Sequence, residues 1–244
     1  MEIIEYFKLP EKAKASQRLY VNQIVEQANA AGNDKKLLEN SIKNFYLVGV
    51  LSEDTCGLWS VKNDEYFYEM VLIFHVIVKD GSKIKSLNEL LQKTFPNPTI
   101  IVYQNGSEFM FSTAMKRLNK VEKGKTVIDS IQTTEWFTLD ELHKELLNRI
   151  NFNKRDLKDF YESVDYIISA EYLTKLNGKV PEIIDYSIKA KSGMVQRLLE
   201  EKNKYIEQEK EESSMQGKMQ CHMKIKEIDV QLERMKWYEK KRRS

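Results

Sequence analysis

From Tyr66 to Lys79 the chain alternates in a way that few architectures can use. Tyr66, Tyr68, Met70, Leu72, Phe74, Val76 and Val78 form one wholly apolar set, and the interleaved set holds Glu69, Val71, Ile73, His75 and Ile77. A period of two with one apolar and one mixed face predicts a long central strand, covered well on one side. Asp80-Gly81-Ser82 then turns the chain, and Leu87, Leu90 and Leu91 predict a short helix ending before Pro96. Thr99 to Tyr103 reads as a second strand. Asn105-Gly106 is a hairpin signal leading into Glu108 to Ala114, and Thr126 to Thr134 adds another strand. This order of strand, helix, strand, hairpin and strand is the sheet core of an α+β domain, mixed or antiparallel, with helices packed on it.

The flanks read as helix. Leu19, Val21, Ile24, Val25 and Ala28 recur at helical spacing within Ser16 to Ala30, and Ala31-Gly32-Asn33-Asp34 stops that element. Lys35 to Val48 starts as a second helix and gives way to strand around Phe45. Thr138-Leu139-Asp140-Glu141 fits a capping box. Asn153 is placed to cap a helix reaching about Leu176, with Leu157, Phe160, Val164, Ile167, Ile168 and Tyr172 as its buried stripe. Asn177-Gly178 ends it. The expected organisation is a sheet domain over 1–136, a helical segment packed on it over 137–185, and a helical hairpin or coiled coil over 186–244.

That last stretch explains the composition. Charged residues make up 31% of the chain, above the usual quarter, as a long solvated helical extension requires. Cys221, Ile225, Ile228, Leu232 and Met235 follow 4-3-4-3 spacing, the seam of a short coiled coil and a candidate partner-docking set. Glutamates 200, 201, 207, 209, 211 and 212 precede it, and Lys240-Lys241-Arg242-Arg243 follow it. Acidic-then-basic order suits two antiparallel helices bent near Ser213-Ser214 or Gly217. Whether they pair within one chain or between chains stays open at this level.

Other classes fall away. A net charge of +2 excludes a histone-like polycation, and 41% hydrophobic residues exclude wholesale disorder. The N-terminus has no basic stretch followed by an apolar one, and no apolar run approaches the about 20 residues of a bilayer span, so a cytoplasmic protein is expected. Cys56 and Cys221 form neither a disulfide framework nor a zinc cluster. His75 sits among apolar neighbours and reads as a structural histidine, while His143 and His222 lack metal-ligand spacing. No phosphate-binding glycine loop is present. A metal-dependent nuclease would want acid-x-Lys on a strand, but Ile77 holds the acid's place before Lys79. Asp156-Leu157-Lys158 and Asp34-Lys35-Lys36 have the short spacing on a helix and a loop. No catalytic residue, metal ligand or cofactor is assigned. One segment is suggestive: Lys116, Arg117, Lys120, Lys123 and Lys125 cluster with Asn119, either as a phosphate-neutralising nucleic-acid contact or as a solvated loop between strands.

Lys8-Leu9-Pro10, Asn33-Asp34-Lys35-Lys36 and the run from Ser112 to Lys120 resemble a bacterial family, domain of unknown function 4391. Met215 to Lys226, with Ile225-Lys226-Glu227-Ile228, is similar to that family's closing helix, departing at Gly217 and His222. The resemblance implies genes beside Swi/Snf-type helicases and DNA methyltransferases. It thereby implies a non-catalytic accessory subunit of a defence or restriction-like complex that binds such a partner and, through the basic segment, DNA. A degenerate metal-dependent nuclease and a structural homodimer are the alternatives.

Overall fold

The computed structural model describes residues 2–122 and 126–241. They form two compact units, residues 1–168 and 169–244. The division falls inside one helix, whereas the sequence suggested boundaries after 136 and 185.

The first unit opens with α1 (Glu2–Glu5) and a 3-10 turn (Glu11–Ala13), followed by β1 (Lys14–Leu19), α2 (Val21–Gln27), α3 (Gly32–Ser41) and β2 (Ile42–Leu51). The helix expected over 16–30 is therefore half strand. Its first residues pair antiparallel with β2, Leu19 opposite Phe45, and only the stretch from Val21 keeps helical form. Next come α4 (Glu53–Cys56), the small hairpin β3 (Val61–Lys62) and β4 (Phe67–Tyr68), and β5 (Val71–Val78). The single strand expected over 66–79 is thus broken at Glu69-Met70: β4 leaves for its own two-stranded sheet, and β5 enters the main one. Then follow α5 (Ile84–Thr94), β6 (Thr99–Asn105), β7 (Glu108–Leu118), β8 (Thr126–Thr133), β9 (Phe137–Thr138), α6 (Glu141–Leu147) and α7 (Leu157–Asn177).

The main sheet has the order β1-β2-β5-β6-β7-β8, with β9 also on β7. It is mixed, as expected. β5 and β6 run parallel because α5 carries the chain across between them, and the other neighbours are antiparallel. The β6–β7 hairpin closes through Gly106 at φ +60°, a conformation a side chain would resist. Alternation sorts the two faces. Phe74, Val76, Val78, Ile101, Tyr103 and Met110 pack with Leu87 and Leu91 of α5, Ile24 of α2 and Leu38 of α3. At the base of this core the rings of Phe74 and Phe95 lie 4.5 Å apart. Members of the opposite parity pack elsewhere: Phe111 stacks on Phe7 and Phe137, and Thr113 donates to Asp165 of α7 at 2.7 Å. Helices on both faces explain why β5 is nearly all apolar.

Two helix starts differ from expectation. Asp140, rather than Thr138, is the N-cap of α6 and accepts from the His143 N–H at 2.8 Å. Asp156, rather than Asn153, accepts from the Asp159 N–H at the head of α7. In both cases a carboxylate close to the first turn meets the free N–H groups and the positive end of the helix dipole. Gly178 at φ +66° ends α7 where Asn177-Gly178 was read as its stop.

The second unit contains α8 (Ser187–Glu211) and α9 (Met215–Lys241), joined through residues 212–214. Lys202 meets Asp229 at 2.6 Å and Glu209 meets His222 at 3.6 Å, so the helices run antiparallel and pair within one chain. Among the described residues no helix is long and apolar enough to cross a membrane.

Candidate functional site

The basic segment does not form the cluster that its spacing suggested. β7 continues into it as far as Leu118, so Lys116 and Arg117 point to opposite faces. Lys116 shares the parity of Met110, Ser112 and Ala114 and turns inward. It is 4% exposed, and its ammonium donates to the Phe95 carbonyl at 2.7 Å and the Asn97 carbonyl at 2.9 Å. Those carbonyls follow the last residue of α5, where helix carbonyls lack intrahelical donors and the dipole end is negative. Burial pulls the amine down from its usual 10.5 to about 7. Lys116 therefore seals a helix end and cannot reach a phosphate, which corrects its assignment to a nucleic-acid surface.

Arg117 points outward, and its Nε donates to Asp129 of β8 at 2.8 Å, so its charge is already paired. Asn119 holds a local turn: its Oδ1 accepts from the N–H groups of Val121 and Glu122. Lys120 is exposed. Lys123 and Lys125, and the side chains of Lys240 to Arg243, lie outside the described residues.

A buried polar network lies beside Lys116. The Tyr161 hydroxyl accepts from the Ala114 N–H at 2.8 Å and sits 2.9 and 3.1 Å from the carbonyls of Ala114 and Thr99. It fills the gap at the end of the β6–β7 ladder, whose last pair is Ile101 with Ser112. Gln92 of α5 donates to the Ser112 hydroxyl at 3.1 Å. These contacts satisfy backbone and hydroxyl groups cut off from water, a structural task.

The histidines are similarly engaged. His75 is 2% exposed, lies 2.9 Å from Gln104 Oε1, and is held below its ordinary pKa chiefly by burial. His143 contacts Asp140 at 2.6 Å and stacks flat on Phe137 at 4.2 Å. Of the two acid-x-Lys pairs, Asp156-Leu157-Lys158 is used locally: Asp156 caps α7 and Lys158 bonds Glu162. Asp34 and Lys36 lie exposed at the start of α3. Among the described residues no group of three or more His, Cys, Asp or Glu could hold a metal ion. An open cavity of about 350 Å3 lies among Ile4, Leu9, Val48, Lys8 and Lys14. Its two cations are occupied, Lys8 by the Asn148 carbonyl and Lys14 by Glu11.

The C-terminal seam is already covered within the chain. Ile228 and Leu232 are buried, and Cys221, Ile225 and Met235 are half-buried, on a helix that pairs with α8. The residues proposed for docking a partner thus close the chain on itself. A second stripe went unread. Met215, Met219, Met223 and Val230 are 83, 66, 56 and 51% exposed. Their 4-4-7 spacing was present in the sequence but was masked by the stronger seam half a turn away.

The family model described as "Domain of unknown function (DUF4391)" matches residues 7–232, nearly the whole chain. No curated protein and no solved structure matches it.

Proposed function

This chain belongs to the DUF4391 family, and from that premise we propose that it is a non-catalytic accessory subunit of a bacterial defence or restriction-like complex. Its C-terminal helices dock a helicase or DNA methyltransferase partner. One observation carries the reading: α9 has an apolar face covered within the chain and a second one left in solvent. Exposed methionines cost a soluble protein solvation free energy. Their flexible, polarisable side chains suit a surface that packs against another protein. Contact with DNA through Lys116 to Lys125 has less support, because Lys116 is sequestered and Arg117 is paired.

The test is an affinity pull-down of the full chain from its host, with and without nuclease treatment, read by mass spectrometry. The reading expects a helicase or methyltransferase retained after nuclease and lost from the double variant Met219→Glu, Met223→Glu. Partners that vanish with the nucleic acid would move the function to a DNA contact. Recovery of the bait alone would end the docking reading.

A further inference from the structure

β1 and β8 are the two edges of the main sheet, and they are finished differently. β1 shows Lys14 and Arg18 to solvent, the kind of charge that keeps a second strand from adding. β8 has no lysine, arginine or proline in its eight residues. Its one charge is Asp129, already paired with Arg117 at 2.8 Å. Among the described residues β8 pairs with β7 alone, so its outer row of main-chain groups has no strand beside it. The direction of those groups follows from the pairing. Ala114 turns its N–H and C=O toward β6, where the Tyr161 hydroxyl meets them. Alternation then aims Thr113, Met115 and Arg117 at β8, opposite Gln132, Ser130 and Val127. The residues of β8 left facing outward are Thr126, Ile128, Ile131 and Thr133. Their side chains share the sheet face of their β7 partners Leu118, Lys116, Ala114 and Ser112.

Regular alternation would space this outward set evenly by two. The bulge at Asp129, between the pairs Lys116–Ile128 and Met115–Ser130, adds one residue and makes the set symmetric about the Asp129–Ser130 bond. A copy of the strand turned by a two-fold axis through that bond sets Thr126 against Thr133 and Ile128 against Ile131. Each of these residues then aims its N–H and C=O at its opposite, and such pairs exchange two N–H···O bonds. Thr–Thr and β-branched neighbours are favourable across an antiparallel ladder, and both isoleucines are only half-buried in the single chain. A bulge usually blunts an edge, but a copy carries the same bulge at the same place, so register holds on either side of it. The two Asp129 carboxylates near the axis each keep the Arg117 of their own chain as counter-ion. Gln132 Nε2 holds the Thr133 carbonyl at 3.2 Å in the single chain, a bond exchanged for an N–H of the second copy. Joining β8 to the β1 edge instead would be head to tail and would not close. We infer that β8 is the two-fold interface between two copies of this chain, joining their sheets edge to edge. The interface is separate from α9 and does not depend on what α9 docks.

Sedimentation equilibrium of the full chain, from about 1 to 100 μM, tests the inference. The parent should approach twice the mass of one chain. Ile131→Pro removes an outward N–H and leaves the bonds to β7 in place. Thr126→Lys sets a cation in the seam at the end of the strand, where it disturbs the fold least. Each should raise the dimer dissociation constant more than tenfold while the circular dichroism stays that of the parent. Register is read by cross-linking in a Cys56→Ser, Cys221→Ser background. A short bis-maleimide should join a mixture of Thr126→Cys and Thr133→Cys chains far faster than either chain alone, because only the unlike positions meet across the axis. A monomer throughout the range overturns the inference. A dimer that survives both edge variants also overturns it, as does one lost only with Met219→Glu, Met223→Glu, which would move the interface to α9. Equal cross-linking of the single variants overturns the two-fold register.

Discussion

Lys116 shows how one side chain's environment reverses its meaning. In sequence it heads a run of cations, and in the fold it is a buried amine held by two carbonyls beyond α5. Its pKa of about 7 lies below the 10.5 it has when the chain unfolds. Between those values the unfolded chain holds a proton that the native chain does not, so stability rises as pH increases through the window. The rise from pH 7 to 9 should be about 2 kcal/mol. Lys116→Met keeps the length of the side chain and removes the titration. Urea unfolding at both pH values should therefore show the rise in the parent and a flat response in the variant, and equal slopes would refute the account. His75 acts on the acid side. Its folded pKa is depressed, so its contribution is present above pH 6.5 and is lost as pH falls below that.

At the scale of the element, Tyr161 and α9 make separate predictions. The Tyr161 hydroxyl is the partner of the Ala114 N–H where the β6–β7 ladder opens. Tyr161→Phe leaves that buried donor unsatisfied with little change in shape, and should cost about 1–3 kcal/mol in chemical denaturation. No measurable loss would mean that water or a ladder bond takes over. On α9 the two faces should behave oppositely. Leu232 is 6% exposed, and Leu232→Asp buries a charge, which should lower the helical signal or the melting temperature of the second unit. Met219→Glu, on the exposed face, should stay within about 0.5 kcal/mol of the parent. Equal destabilisation by both would mean that the outer stripe is covered.

Such elements also mark what was legible in the sequence. β5, α5, β6 and β7 could be read because alternation, a leucine stripe and Asn105-Gly106 are local signals. β1 could not. Its residues Ser16 to Leu19 are mostly exposed and show no alternation, and pairing with β2 alone makes them a strand. Ending β7 at Ala114 hid Lys116, since carrying the same parity two residues further places it on the α5 side. The docking seam was correctly read as apolar, but nothing in its spacing told whether α8 or another chain would cover it.

For the whole molecule the question is how much DNA affinity this surface can supply alone. Binding to duplex DNA weakens with salt by a log–log slope of about −0.9 for each phosphate neutralised. With Lys116 inside, the segment retains Arg117, Lys120, Lys123 and Lys125, and Arg117 must first leave Asp129. The slope should then be no steeper than about −4, against about −6 to −9 for proteins that make many phosphate contacts. Fluorescence anisotropy of a labelled 30-base-pair duplex, titrated with the purified protein at several salt concentrations, measures it. A steep slope that survives Lys120→Glu and Arg117→Glu would place a strong phosphate-binding surface elsewhere on the molecule. A shallow one would mean that this chain has no strong phosphate-binding surface of its own and that Arg117 stays with Asp129 in the presence of the duplex.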